Sequence, residues 1–86
     1  MYAIQYKKSV EKDLRKLDHD TLKRVAKKIQ LLADNPRPNG VTKLSGVNDL
    51  YRVRQGDYRI IYQIQDNKLI VLVVKVGHRG DVYRTN

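Results

Sequence analysis

Apolar and polar positions fall into two periods along the chain. Tyr2, Ile4 and Tyr6 alternate with Ala3 and Gln5, the period-2 pattern of a short, half-buried strand. Val10, Leu14 and Leu17 then recur at helical spacing, with Ser9 placed to cap the helix. Leu22, Val25, Ala26, Ile29, Leu32 and Ala33 form the stripe of a second helix, opened by Asp18 or Asp20 and stopped by Asn35-Pro36. Pro, Gly, Asn and Ser between Arg37 and Asn48 predict a loop. Three further strands are expected at Leu50–Arg54, Asp57–Gln63 and Leu69–Val76. The last is apolar on both faces and suits an interior position. The order β-α-α-β-β-β predicts an α+β fold. Its N-terminal helical hairpin should pack on one face of a mainly antiparallel four-stranded sheet, with residues 1–86 forming a single domain.

The hairpin in the second half carries the sharpest expectation. Gln55-Gly56 fits a two-residue turn, with glycine at a φ > 0 position. That register pairs Arg54 with Asp57, Val53 with Tyr58, Arg52 with Arg59 and Tyr51 with Ile60. One face then carries Tyr51, Val53, Tyr58, Ile60, Tyr62 and Ile64, ready for the helices to cover. The other carries Arg52, Arg54, Arg59, Ile61 and Gln63. Two arginines directly opposite each other cost about a few tenths of a kcal/mol or more. An anion held between them accounts for the pair.

Composition narrows the chemistry. Cysteine is absent, which removes disulfides, thiolate metal sites and cysteine nucleophiles. No apolar run approaches the ~20 residues of a membrane span, and the N-terminus lacks a signal-peptide pattern, so a cytoplasmic protein away from membranes is expected. Eighteen Lys and Arg against nine Asp and Glu leave a net charge of +9. On so small a chain that surplus favours a polyanionic partner, because neutralised phosphates release counterions. Plain solubility is the bland alternative. Lys23, Arg24, Lys27 and Lys28 read either as the wet side of a helix or as a contact for ribosomal RNA.

Beyond the last strand, Gly77-His78-Arg79-Gly80-Asp81-Val82-Tyr83 adds a histidine, an arginine and a tyrosine near the arginine face. Arginine's planar fork suits phosphate oxygens but stays charged, so it is a poor general base. Histidine is the side-chain type suited to carrying protons near neutral pH, which makes His78 a candidate, and Tyr83 is placed either to donate a proton or to stack on a base. The bland alternatives are a turn histidine and a C-terminal packing tyrosine. Asp13 and His19 show no metal-ligand spacing, and no metal or cofactor is expected.

The stretch Leu50-Tyr51-Arg52-Val53-Arg54-Gln55-Gly56-Asp57-Tyr58-Arg59-Ile60-Ile61-Tyr62 resembles the central hairpin of RelE toxins, within the RelE/ParE superfamily. Lys43-Leu44-Ser45-Gly46 before it and Val76-Gly77-His78-Arg79 through Val82-Tyr83 after it are similar to RelE as well. The resemblance implies the toxin of a type II toxin–antitoxin pair, which enters the A site of the 70S ribosome and cleaves mRNA there. Cleavage would proceed by attack of the RNA 2′-OH, without metal or cofactor. It implies phosphate-binding and catalytic roles for Arg52, Arg54, Arg59, Arg79 and Tyr83, and RNA contact for Lys43. It also implies a RelB-like antitoxin that wraps and inhibits the toxin, with DNA met only through that complex. RelE enzymes tend to carry lysine at the positions of Arg52 and Arg54. No acid–base role transfers to these arginines, so His78 becomes a catalytic candidate. The alternatives are a ParE-like, non-enzymatic inhibitor of DNA gyrase and a non-cleaving RNA-binding module.

Overall fold

A computed structural model describes residues 1–45 and 49–78. The elements are β1 (Ala3–Tyr6), α1 (Lys8–Arg15), α2 (His19–Asp34), β2 (Thr42–Ser45), β3 (Leu50–Gln55), β4 (Tyr58–Gln65), a 3-10 turn (Asp66–Lys68) and β5 (Ile70–His78). The strands form one sheet in the order β1-β5-β4-β3-β2. β1 runs parallel to β5, and every other pairing is antiparallel. The α+β class and element order agree with expectation, with five strands rather than four.

The additional strand, β2, lies inside the expected loop. Its pairing with β3, Thr42 opposite Arg52 and Lys43 opposite Tyr51, satisfies backbone groups on an edge that would otherwise stay open. Thr42, Lys43 and Leu44 are all exposed, so β2 carries none of the alternation by which a half-buried strand is recognised. Ser9 does not cap α1. Lys7 holds the N-cap position without a side-chain bond, and Ser9 lies inside the helix. Asp18 holds the N-cap position of α2, where its carbonyl accepts from Leu22 N–H at 2.9 Å but its carboxylate makes no cap bond. Ala26, assigned above to the apolar stripe, is exposed.

Val10, Val25, Ile29 and Leu32 from the helices meet Tyr51, Val53, Ile60, Tyr62, Ile64, Val71, Val73 and Val76 on one face of the sheet. The buried Tyr62 hydroxyl donates to the Pro36 carbonyl at 2.6 Å, so burial of this phenol leaves no polar group unsatisfied. A register shift between Ile61 and Tyr62 makes Val74 an extra residue on β5. Strict alternation after Val71 and Val73 would have put Lys75 in the core. The bulge instead buries Val76 and leaves Lys75 part-exposed. Asp13 of α1 then accepts the Val76 N–H at 3.1 Å and faces Lys75 Nζ at 3.4 Å, clipping the helix to the bulge. Among the described residues, no helix is long and apolar enough to cross a membrane.

Candidate functional site

The β3–β4 turn is Gly56-Asp57, one residue later than the sequence suggests. Gln55 pairs with Tyr58, and Gly56 takes φ 60° at the first central position, where glycine is favoured in a type II′ hairpin loop. Moving the turn by one residue shifts every cross-strand partner by two. Side-chain parity is therefore unchanged, and both faces keep the expected residues. The pairs change. Arg59 faces Arg54, not Arg52, and Arg52 faces Ile61.

Arg52, Arg54 and Arg59 thus share the face turned away from the helices, with Arg54 and Arg59 directly opposed and Arg52 diagonal to Arg59. On its other side Arg59 faces Gly77. Arg59 is only 6% exposed, Arg52 is part-buried and Arg54 is exposed. The cluster therefore grades from a fixed, desolvated cation to a solvated one. Charge interactions at the buried end are less screened than those at the rim.

Two other candidates lie elsewhere. Lys43 pairs with Tyr51 on the opposite parity, its Nζ 5.9 Å from the Tyr51 ring centre. His78 pairs with Tyr58, also on the helix side of the sheet, and its ring meets the Tyr58 ring edge-on at 5.6 Å and 82°. The expectation that His78 would leave the sheet beside the arginines is corrected by this register. Gly77, one residue earlier, is the one that faces Arg59. Arg79 and Tyr83 lie outside the described residues.

Nothing in the residue pattern predicts the polar cluster at the other end of the sheet. Arg37 holds Asp66 through two bonds, 2.9 and 3.3 Å, Tyr2 donates to the same carboxylate at 2.6 Å, and Arg37 Nε donates to the Tyr51 hydroxyl at 3.3 Å. The Arg37 and Tyr2 bonds hold the Asp66 carboxyl below its ordinary value. The same bond to Asp66 raises the Tyr2 phenol. A polar groove of about 500 Å³ lies nearby, lined by Asp49, Gln63, Asp66 and Lys68.

Residues 4–83 match the family described as ParE toxin of type II toxin-antitoxin system, parDE. An Escherichia coli protein named putative RelE-like toxin protein is 36% identical, over 95% of this chain and 90% of its own length. The mRNA interferase toxin RelE of Escherichia coli K12 is 33% identical over the same shares. Among solved structures, the archaeal RelE–RelB complex from Pyrococcus horikoshii matches with a TM-score of 0.83 and 33% identity, over 92% of this chain and 96% of that one. The intact Escherichia coli RelBE toxin–antitoxin complex matches at 0.79 and 30%, over 91% and 96%. An arginine-bearing sheet face on this scaffold, matched along nearly its whole length, places the chain in the ParE/RelE toxin family of type II toxin–antitoxin systems.

Proposed function

We propose that this protein is an mRNA interferase, cleaving mRNA in the ribosomal A site and held inactive by a RelB-like antitoxin. It would act in the cytoplasm, where translating ribosomes are. The observation that carries this reading is the cross-strand Arg54–Arg59 pair with Arg52 beside it. A like-charge pair weakens a sheet unless an anion bridges it, and an RNA phosphodiester is such an anion. Relatives named mRNA interferase RelE support the reading.

In the proposed reaction the 2′-oxygen bonds to phosphorus, and the bond from phosphorus to the 5′-oxygen breaks. A cyclic phosphate and a 5′-OH result. Arg59, fixed by burial, would stabilise the charge that grows on the non-bridging oxygens, while Arg52 and Arg54 hold the flanking backbone. None of the three can accept the 2′-OH proton, which would pass to solvent water. Tyr83 is our candidate for protonating the leaving oxygen, and Arg79 for a further phosphate contact.

The test is translation of a defined mRNA in a cell-free bacterial system, with new 5′ ends mapped by primer extension. Wild-type protein should produce cuts in codon frame that require ribosomes. Arg59→Met should reduce them about 100-fold or more, as when a fixed charge-stabilising donor is lost. Intact mRNA with wild-type protein would reject the reading. A second reading, gyrase inhibition, is favoured by the ParE description of the matching family. It predicts intact mRNA together with loss of DNA supercoiling by gyrase.

A further inference from the structure

We infer that the groove beside the Tyr58–His78 pair binds a nucleobase of the RNA whose phosphate lies on the arginine face, an inference that rests on the RNA-cleaving reading. The groove measures about 270 Å³ and is lined by Asp13, Lys16, Leu17, Tyr58, Lys75 and His78. It lies below the ~300–1,000 Å³ of drug-sized ligand pockets and suits a single ring system.

Its walls have the composition of a base platform. Tyr58 is half-buried against the core, and His78 is exposed at the end of β5. Their perpendicular rings form a corner. A flat base can stack on one ring while its edge meets the other, a mode tolerant of every base because each has a π-face. Lys16 brings positive charge to the rim, and Arg24 borders a neighbouring depression that shares Tyr58. The Asp13 carboxylate, which would repel RNA, is already engaged by the Val76 N–H and Lys75.

Position links this groove to the arginines. Tyr58 and His78 are the terminal pair of the β4–β5 ladder, and the adjoining pair is Arg59 with Gly77. Neighbouring pairs in a sheet point to opposite faces. An RNA strand crossing this end of the sheet therefore meets the cations on one side and the aromatic corner on the other. This gives His78 a role as a stacking partner rather than as a proton carrier among the arginines.

The experiment compares two probes, adenosine 5′-monophosphate and ribose 5-phosphate, titrated into the full chain and followed by NMR of the His78 and Tyr58 ring protons. Only the nucleotide should shift these rings. His78→Ala, an exposed change that spares the core, should weaken the nucleotide about tenfold, within the range for loss of one stacking partner. Ribose 5-phosphate binding should stay within about twofold. Tyr58→Leu, which keeps an apolar contact with the core, should act in the same way, whereas Arg59→Met should weaken both probes. Equal binding of the two probes, or a nucleotide affinity untouched by His78→Ala and Tyr58→Leu, would overturn the subsite. In the mRNA mapping, both variants should reduce cutting about tenfold without changing which bases flank the cuts, because stacking tolerates every base. Undiminished cutting in both would reject the subsite and leave the cleavage reading standing. A wild-type protein that makes no cuts removes the cleavage reading, while the NMR titration still decides the subsite.

Discussion

Ile60 and Arg59 are neighbours on β4, both are buried, and they point to opposite faces of one sheet. Ile60, fully buried, meets Val53 and Val76 under the helices. Arg59, at 6% exposure, meets Arg54 and Gly77 on the other side. The first environment is what a stable fold requires. The second sets one cation opposite another, which weakens a strand pair and fits the proposed anion site. Burial alone therefore does not identify the core of this protein. The character of the cross-strand partner separates the residues that hold the fold from those proposed to act on a ligand.

The sharpest break in this contrast is expected at the two neighbours themselves. Ile60→Ala should cost about 2–5 kcal/mol of folding stability, read by urea denaturation, because it opens a cavity in packed surroundings. Arg59→Met should lower the urea midpoint less than Ile60→Ala does, because the methionine chain refills most of the space left by the arginine stem and opens no comparable cavity. A large loss of stability in Arg59→Met would mean that the arginine face is structural. Gly56→Ala, at the turn that sets which arginines meet, should cost about 1 kcal/mol through its positive φ alone. No atom lies within 4 Å of the added Cβ, so the loss should appear without steric clash.

The smallest effect concerns the exposed Arg37–Asp66–Tyr2 cluster. The Asp66 carboxyl is lowered in the folded state, so its contribution is present above the unfolded carboxylate range. It is lost as pH falls through the folded value. Wild type should therefore exceed Asp66→Asn slightly in urea midpoint near neutrality, with the difference closing below about pH 4. A gap that persists in acid would show that the charge on Asp66 contributes nothing.

Strand alternation was legible because it depends on neighbours in the chain. Alternation assigns Tyr51, Val53, Tyr58, Ile60, Tyr62 and Ile64 to one face, and all but the half-buried Tyr58 are buried there. The Arg52–Arg59 pairing was not legible. Gln55-Gly56 and Gly56-Asp57 both satisfy a two-residue loop, and only the folded backbone selects the second. β2 escaped notice for a related reason. Its exposed residues carry no pattern, and only the edge of β3 makes Thr42–Ser45 a strand. Asp13 looked inert until the β5 bulge brought the Val76 N–H to it.

By itself, the sequence determined the two helices, the three long strands, the allocation of apolar and arginine side chains to opposite faces, and a charge suited to RNA. These follow from local periodicity and composition, which survive a two-residue shift in pairing. Tertiary structure alone decided that Arg54 faces Arg59, that Val76 rather than Lys75 enters the core, and that His78 stands with Tyr58 instead of among the arginines. Each of those outcomes depends on register between strands, set by one turn and one bulge. Register is a relation between distant residues that no local pattern encodes.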